Sequence, residues 1–143
     1  MGKIVIAAGL ILIAGVGVAG AETPQCPGEI SARQELASPH EGWREQRRNG
    51  LHLNAHITLY DGVPAEQASL VPDQTRQVKG REISTWNFGN LSTRRIWIEC
   101  HYAGTSISLT RELPAGTKTC SVSSEPNTRS SDLRRRIRRI DCS

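Results

Sequence analysis

The sequence predicts an all-β fold: a small antiparallel β-sandwich or open barrel, stapled by two disulfides and preceded by a signal-peptide helix. Three observations carry that expectation. In residues 51–60, Leu51, Leu53, Ala55, Ile57 and Leu59 alternate with His52, Asn54, His56, Thr58 and Tyr60, the period-two pattern of a half-buried strand. Further β-rich runs follow at short spacing, divided by Gly, Pro and Asn turns. All four cysteines, Cys26, Cys100, Cys120 and Cys142, come after residue 21, and an even count in a small exported domain reads as two disulfides.

The N-terminus sets the compartment. Lys3 is a short positive region, residues 4–18 are apolar and uncharged, and Ala19-Gly20-Ala21 offers a small-x-small cleavage site before Glu22. This is the layout of a secretory signal peptide over residues 1–21. The apolar run is shorter than the ~20 residues of a spanning helix, so retention as an anchor is the weaker reading. Thr23-Pro24-Gln25 precedes Cys26 in place of a lipoprotein box. Residues 22–143 are then one exported domain, periplasmic in a Gram-negative cell, with no stable membrane insertion after cleavage. A chain of this length supports one core.

The strands are taken in order. Residues 29–36 form a first strand, and Gly42-Trp43 opens a polar stretch. The alternating run at 51–60 ends at the Asp61-Gly62 turn. Residues 64–75, with Pro64 and Pro72, read as a long loop with room for one helical turn. Strands follow at 81–88 and 94–102, where Ile96, Ile98, Cys100 and Tyr102 share a face. A short turn at Ala103-Gly104 leads to 105–113, and 118–122 resumes an extended pattern. At the end, Leu133, Ile137 and Ile140 fit a helix face, but a strand over 138–142 is favoured. Four cysteines allow three pairings, and sequence does not choose among them. Chain position favours Cys100 with Cys120 and Cys26 with Cys142.

The charge is unevenly spread. The chain carries 18 Lys and Arg against 14 Asp and Glu, a net charge of +4. Arg129, Arg134, Arg135, Arg136, Arg138 and Arg139 concentrate the excess in an Arg-rich segment, 129–143, opposed there by Asp132 and Asp141. Guanidinium groups suit carboxylate and phosphate, so Arg134, Arg136 and Arg138 are candidate contacts for an anionic partner. A solvated, solubilising strand is the equal alternative. Nucleic acid is not expected, because no aromatic stacking residues are interleaved and the compartment is wrong.

Catalytic patterns are weak. His52 and His56 lie four apart without further ligands, so no metal is expected. Cys100-His101 resembles a thiol–imidazole pair, but catalysis needs a free thiolate and Cys100 is expected in a disulfide. Asp61, Glu66 and Asp73 gather near one loop and would suit a carboxylate pair; turn acids are the commoner role. There is no GxSxG elbow, SxxK motif or phosphate-binding glycine loop. The chain is expected to be no enzyme and to need no cofactor. Trp86 and Trp97 lie in strands and should pack. Trp43 is the best candidate of the three for an exposed anchor, but core packing is the favoured reading for it too.

The order of features is similar to a known family. Cys26-Pro27, Gly42-Trp43, Asp61-Gly62-Val63-Pro64, Leu70-Val71-Pro72-Asp73, Trp86, the run Ile96-Trp97-Ile98-Glu99-Cys100-His101-Tyr102, and Leu113-Pro114 before Cys120 resemble the STY-type family of small exported Gram-negative proteins. The resemblance extends to periplasmic immunity proteins that accompany type VI secreted L,D-transpeptidase-like effectors. It implies a non-catalytic partner of a secreted cell-wall-modifying effector and carries no catalytic residue. On that reading the loop 61–73 is the inhibitory plug, with Asp61, Glu66 and Asp73 on it, and Trp43 or the Arg-rich end is a second contact. A periplasmic lysozyme inhibitor is the rival, though the Ser-Gly-x-Arg-Tyr-type segment of such inhibitors is missing here. An envelope protein that holds anionic lipid or polymer through its arginines is a further alternative.

Overall fold

The computed structural model describes residues 22–46, 50–89, 94–126 and 135–143. The expected signal peptide at 1–21 and Arg129 and Arg134 lie outside the described residues. The strands are β1 (Glu29–Ala32), β2 (Gly50–Asp61), β3 (Ser69–Leu70), β4 (Gln74–Val78), β5 (Arg81–Asn87), β6 (Ile96–Tyr102), β7 (Ser108–Glu112), β8 (Thr119–Pro126) and β9 (Arg135–Cys142), with a 3-10 turn at Pro64–Glu66. Every pairing is antiparallel. One sheet has the order β1-β2-β6-β7, with β3 beside β2; the other has the order β4-β5-β8-β9. β2 packs beside β9, so the two sheets curl into a half-barrel around one core.

Alternation builds that core. Ile96, Ile98, Cys100 and Tyr102 of β6 point inward and are buried. Cys120, Val122 and Ser124 do the same on β8. Leu59, Trp86, Phe88, Leu113 and Ile140 complete the interior. The residues 81–88, 94–102 and 118–122 were legible as strands from this pattern. The C-terminal run is strand, not helix, because β9 lies along β8 over its whole length.

The first alternating run behaves differently from its expected form. A bulge between Asn54 and His56 shifts the register against β6, and one extra residue turns the preceding side chains to the opposite face. Ile57 and Leu59 still face the core. Asn54 now stands opposite inward-facing Tyr102 and is buried, while Leu51 is 68 % exposed. His52 and His56 therefore fall on opposite faces. His52 Nδ1 lies 2.7 Å from the Ala103 carbonyl, a local turn contact.

The disulfides are Cys26–Cys100 and Cys120–Cys142, not the pairing that chain position favoured. After β7 the chain leaves the first sheet, so Cys100 and Cys120 belong to different sheets. Cys142 stands directly opposite Cys120 in the β8–β9 register, with Cα atoms 4.1 Å apart. Cys26 instead reaches β6, bringing the N-terminal segment across the core. With sequence separations of 74 and 22, the chain-entropy relation gives about 4 and about 3 kcal/mol respectively.

Residues 23–28 act as a clasp. Gln25 brackets Ile140 at the outer edge of β9: its Nε2 donates to the Ile140 carbonyl at 2.5 Å and its Oε1 accepts from the Ile140 N–H at 3.0 Å. Thr23 Oγ1 donates to the Cys142 carbonyl at 3.0 Å. On the other sheet, the Gly28 carbonyl accepts from Asn54 N–H and the Pro27 carbonyl accepts from Tyr102 Oη.

Peptide mapping of the oxidised protein without reductant should recover linked Cys26–Cys100 and Cys120–Cys142 fragments; a Cys26–Cys142 fragment would overturn the topology. Replacing Cys120 and Cys142 together by Ser should lower unfolding free energy by about 3 kcal/mol in a denaturant titration.

Candidate functional site

The loop 61–73 is stiff because its polar atoms are used internally. Asp61 N–H donates to the Ala68 carbonyl, and Gly62 N–H donates to the Arg95 carbonyl. Gly62 has φ +95°, and a Cβ there would come within 2.6 Å of Glu66 Oε2, so the turn requires glycine. The 3-10 turn ends at Gln67 in the left-handed region. Trp86 Nε1 donates to the Leu70 carbonyl at 3.0 Å, tying the loop to the second sheet. Its acids serve this geometry. Asp61 pairs with Arg94. Asp73 Oδ2 accepts from Asn87 N–H at 2.6 Å. Glu66 is exposed on the turn. The apolar side chains presented outward are Val71, 83 % exposed, and Val63.

A second surface is the segment 33–46. Trp43 is 83 % exposed, which overturns the core packing favoured from sequence and leaves the anchor reading. Gly42 at φ +77° and a Trp43 N–H to His40 carbonyl bond form its turn. Leu36 N–H donates to Glu45 Oε1 at 3.1 Å, and Gln34 Nε2 donates to the Gly104 carbonyl at 3.2 Å. Leu36, His40, Trp43 and Arg44 line an open depression of about 570 Å³.

The described arginines of the C-terminal segment, Arg135, Arg136, Arg138 and Arg139, are built into β9. Arg136 bonds to Glu125 Oε1 through Nε and Nη2, at 3.1 and 2.7 Å. Arg138 Nε lies 3.3 Å from Glu125 Oε2. Arg139 Nε donates to both oxygens of Asp141, and Arg135 bonds to Ser124 Oγ and carbonyl. The hydrogen bonds from Arg136, with the nearby charges of Arg138 and Arg81, hold the Glu125 carboxyl below its ordinary value.

Reading the sequence missed a polar cluster on the outer face of β2, β6 and β7. Register brings it together: Thr58 stands opposite Glu99, His56 opposite His101, and His101 opposite Ser108. Glu99 accepts from Tyr60 Oη at 2.7 Å and from Ser108 Oγ at 2.5 Å. His56 and His101 stack at 4.3 Å, and His101 Nε2 lies 3.0 Å from Thr58 Oγ1. Desolvation pushes the Glu99 carboxyl up, but hydrogen bonds from Ser108 and Tyr60 and the two imidazoles outweigh it, so it lies below the usual carboxylate value. His56 is lowered by burial and by His101, against the opposing pull of Glu99. The signal for this cluster was the pairing of the two strands, which neither strand carries alone. Among the described residues, no group of three or more His, Cys, Asp or Glu side chains converges to hold a metal, and no helix is long and apolar enough to cross a membrane.

Residues 46–143 match the profile of the Type VI secretion system Tli immunity protein family. The matched part includes the loop 61–73 and the basic β9, but not Trp43. The chain is also similar to an uncharacterised 16.3 kDa protein in the trpG 5′ region of Azospirillum brasilense: 29 % identical over 126 residues, covering 84 % of this chain and 83 % of that one. No solved structure matches it significantly.

Within the polar cluster, His56 and Glu99 have folded pKa values below their unfolded ones. Each therefore stabilises the fold above its unfolded pKa, about 6.5 for His and about 4.3 for Glu, and loses that contribution as pH falls through the folded value. Unfolding free energy should decline in two stages, from about pH 6.5 for His56 and from about pH 4.3 for Glu99. Glu99→Gln should lower stability at pH 7 by about 1–2 kcal/mol and shrink the second stage, leaving the part that Glu112 and Glu125 contribute. An unchanged acid limb in denaturant titrations across this range would contradict the assignment.

Proposed function

The chain belongs to the Type VI secretion system Tli immunity protein family, and from that premise we propose that it acts in the periplasm, binding a secreted cell-wall-modifying effector and blocking it. An immunity protein works by binding a secreted effector and not by catalysis. Family membership is the observation that carries this reading. The two disulfides support an oxidising compartment, and the expected signal peptide agrees with it. The wall-modifying nature of the effector comes from the sequence resemblance.

The contact surface we propose is the loop 61–73, with Trp43 as a second anchor. A loop pinned at both ends and at Leu70 loses little conformational entropy on binding. It presents Val71 to solvent, and Trp43 supplies the large exposed ring that interface anchors favour. Asp61 and Asp73 shape the loop from within, so Glu66 is the acid on it that remains available to a partner.

Oxidised residues 22–143 should retain one secreted enzyme, in near-equal amount and at high salt, from the host's secreted fraction. The retained enzyme should act on cell wall and lose activity when bound. An enzyme with a different envelope substrate would keep the immunity role and replace the wall assignment; retention of none would remove the proposal. Val71→Asp and Trp43→Ala change exposed side chains and should leave thermal stability within about 0.5 kcal/mol. Val71→Asp should weaken capture at least tenfold, and Trp43→Ala by about 1–2 kcal/mol. Undiminished capture by both variants would sink the surface assignment.

A further inference from the structure

The outer face of the β4-β5-β8-β9 sheet carries an ordered set of arginines, assembled by register from parts of the chain far apart in sequence. Arg76 stands opposite Ile83, Ile83 opposite Ser123, and Ser123 opposite Arg139. This row crosses all four strands. With neighbouring strands about 4.8 Å apart, its two guanidinium-bearing ends are separated by ~14 Å at the backbone. The next outward-facing row holds Arg81 opposite Val78 on one side and Arg136 opposite Glu125 on the other. The row between them, with Glu82, Ser124 and Ile137, faces the other way.

The floor between the arginines is shallow. Ser121, Ser123, Thr85 and Ile83 fill its middle, and all four are half-buried. Arg76, Arg81, Arg138 and Arg139 are exposed at its margins. Among the described residues, no strand packs over this face. The carboxylates on it, Glu125 and Asp141, leave it positive against the five arginines and hold three of them in place: Arg136 and Arg138 at Glu125, Arg139 at Asp141.

We propose that this basic sheet face docks an acidic surface of the effector protein. The inference rests on the immunity reading and deepens it by naming the chemistry of the partner. Guanidinium forks fixed in position are preorganised for paired hydrogen bonds to carboxylates. A flat, hydroxyl-lined floor accepts a folded protein surface. A membrane-binding face would present several exposed aromatic or long aliphatic side chains to enter the interface, whereas the apolar side chains here are Val78 and the half-buried Ile83. Charge complementarity of this kind sets encounter rate and orientation, a role distinct from the anchoring assigned to the loop.

The test uses the oxidised protein and its charge-reversed variant R76E/R81E, checked for unchanged circular dichroism and thermal midpoint. The probes are a 15-residue Glu/Asp-rich peptide and vesicles of 1:1 phosphatidylglycerol and phosphatidylcholine. The peptide should bind saturably, with amide shifts concentrated on β4, β5, β8 and β9, and the variant should weaken it at least tenfold at 0.15 M salt. Vesicles should bind neither protein. Peptide shifts scattered over the molecule, equal binding by the variant, or binding of the vesicles through this face would each overturn the proposal. The effector retained by the unaltered protein separates this inference from its premise. Undiminished, equally rapid capture by R76E/R81E would end the basic-face assignment and leave immunity standing. Specific peptide binding by a protein that captures no effector would end the immunity reading while the carboxylate-binding face remained.

Discussion

The structure depends on the short segment 23–28 crossing from one sheet to the other. Cys26 is bonded to Cys100 of β6, and Thr23 and Gln25 occupy the outer edge of β9. An open sheet edge is a row of unpaired donors and acceptors. At Ile140 both backbone groups are taken by one side-chain amide, which mimics a neighbouring strand. The same segment accepts from Asn54 and Tyr102 on the first sheet. Remove it and the half-barrel loses its crosslink, its edge cover and a wall of its core at once.

Such a clasp matters because the interior is modest. The chain has three Trp, two Tyr and one Phe, and its fully buried side chains are Leu59, Ile98, Ile140 and Cys120. Burial of branched aliphatic side chains contributes roughly 1.5–3 kcal/mol each, against backbone ordering of about 1–2 kcal/mol per residue. A small core with these residues is helped by restricting the unfolded chain. The two crosslinks do this in complementary ways: Cys26–Cys100 closes a long loop between segments, and Cys120–Cys142 rivets two adjacent strands.

What the sequence disclosed and what it withheld follow from range. Strands β6 and β8 were legible because one buried face imposes a strict alternation on each, and β5 from Trp86 and Phe88 at its end. The strand at β9 was favoured on the expectation that Cys142 would reach Cys26 at a sheet edge; the strand is there, but Cys142 bonds to Cys120 on the neighbouring strand. β4 was not legible, since all five of its residues are exposed and nothing imposes a pattern on it. The bulge at residues 54–56 was hidden because an unbroken polar–apolar rhythm runs through it; the shift is visible only against β6. Disulfide pairing failed for a related reason. Proximity along the chain pointed to Cys100 and Cys120, while the chain changes sheets between them. Trp43 was expected to pack in the core as a large ring usually does, and it is exposed because the segment 33–46 that carries it lies at the surface. The His56–His101–Glu99 cluster and the arginine rows escaped because they exist only across strands.

The carboxylates argue for binding over catalysis. A general acid must keep its proton near the working pH, so its pKa is raised toward neutrality. Glu99 and Glu125 are moved the other way, by hydroxyl donors and imidazoles in one case and by arginines in the other. Both are ionised at neutral pH and occupied as acceptors. Asp61 and Asp73 likewise spend their oxygens on Arg94 and on the Asn87 backbone. These acids fix the positions of other groups: the loop 61–73 in one place, the guanidinium forks of β9 in another. A molecule that invests its charges in holding surfaces still, and crosslinks its only core, is built to present a fixed shape to a partner. That is the physical requirement of an immunity protein, which must meet its effector faster and more tightly than the effector meets its substrate.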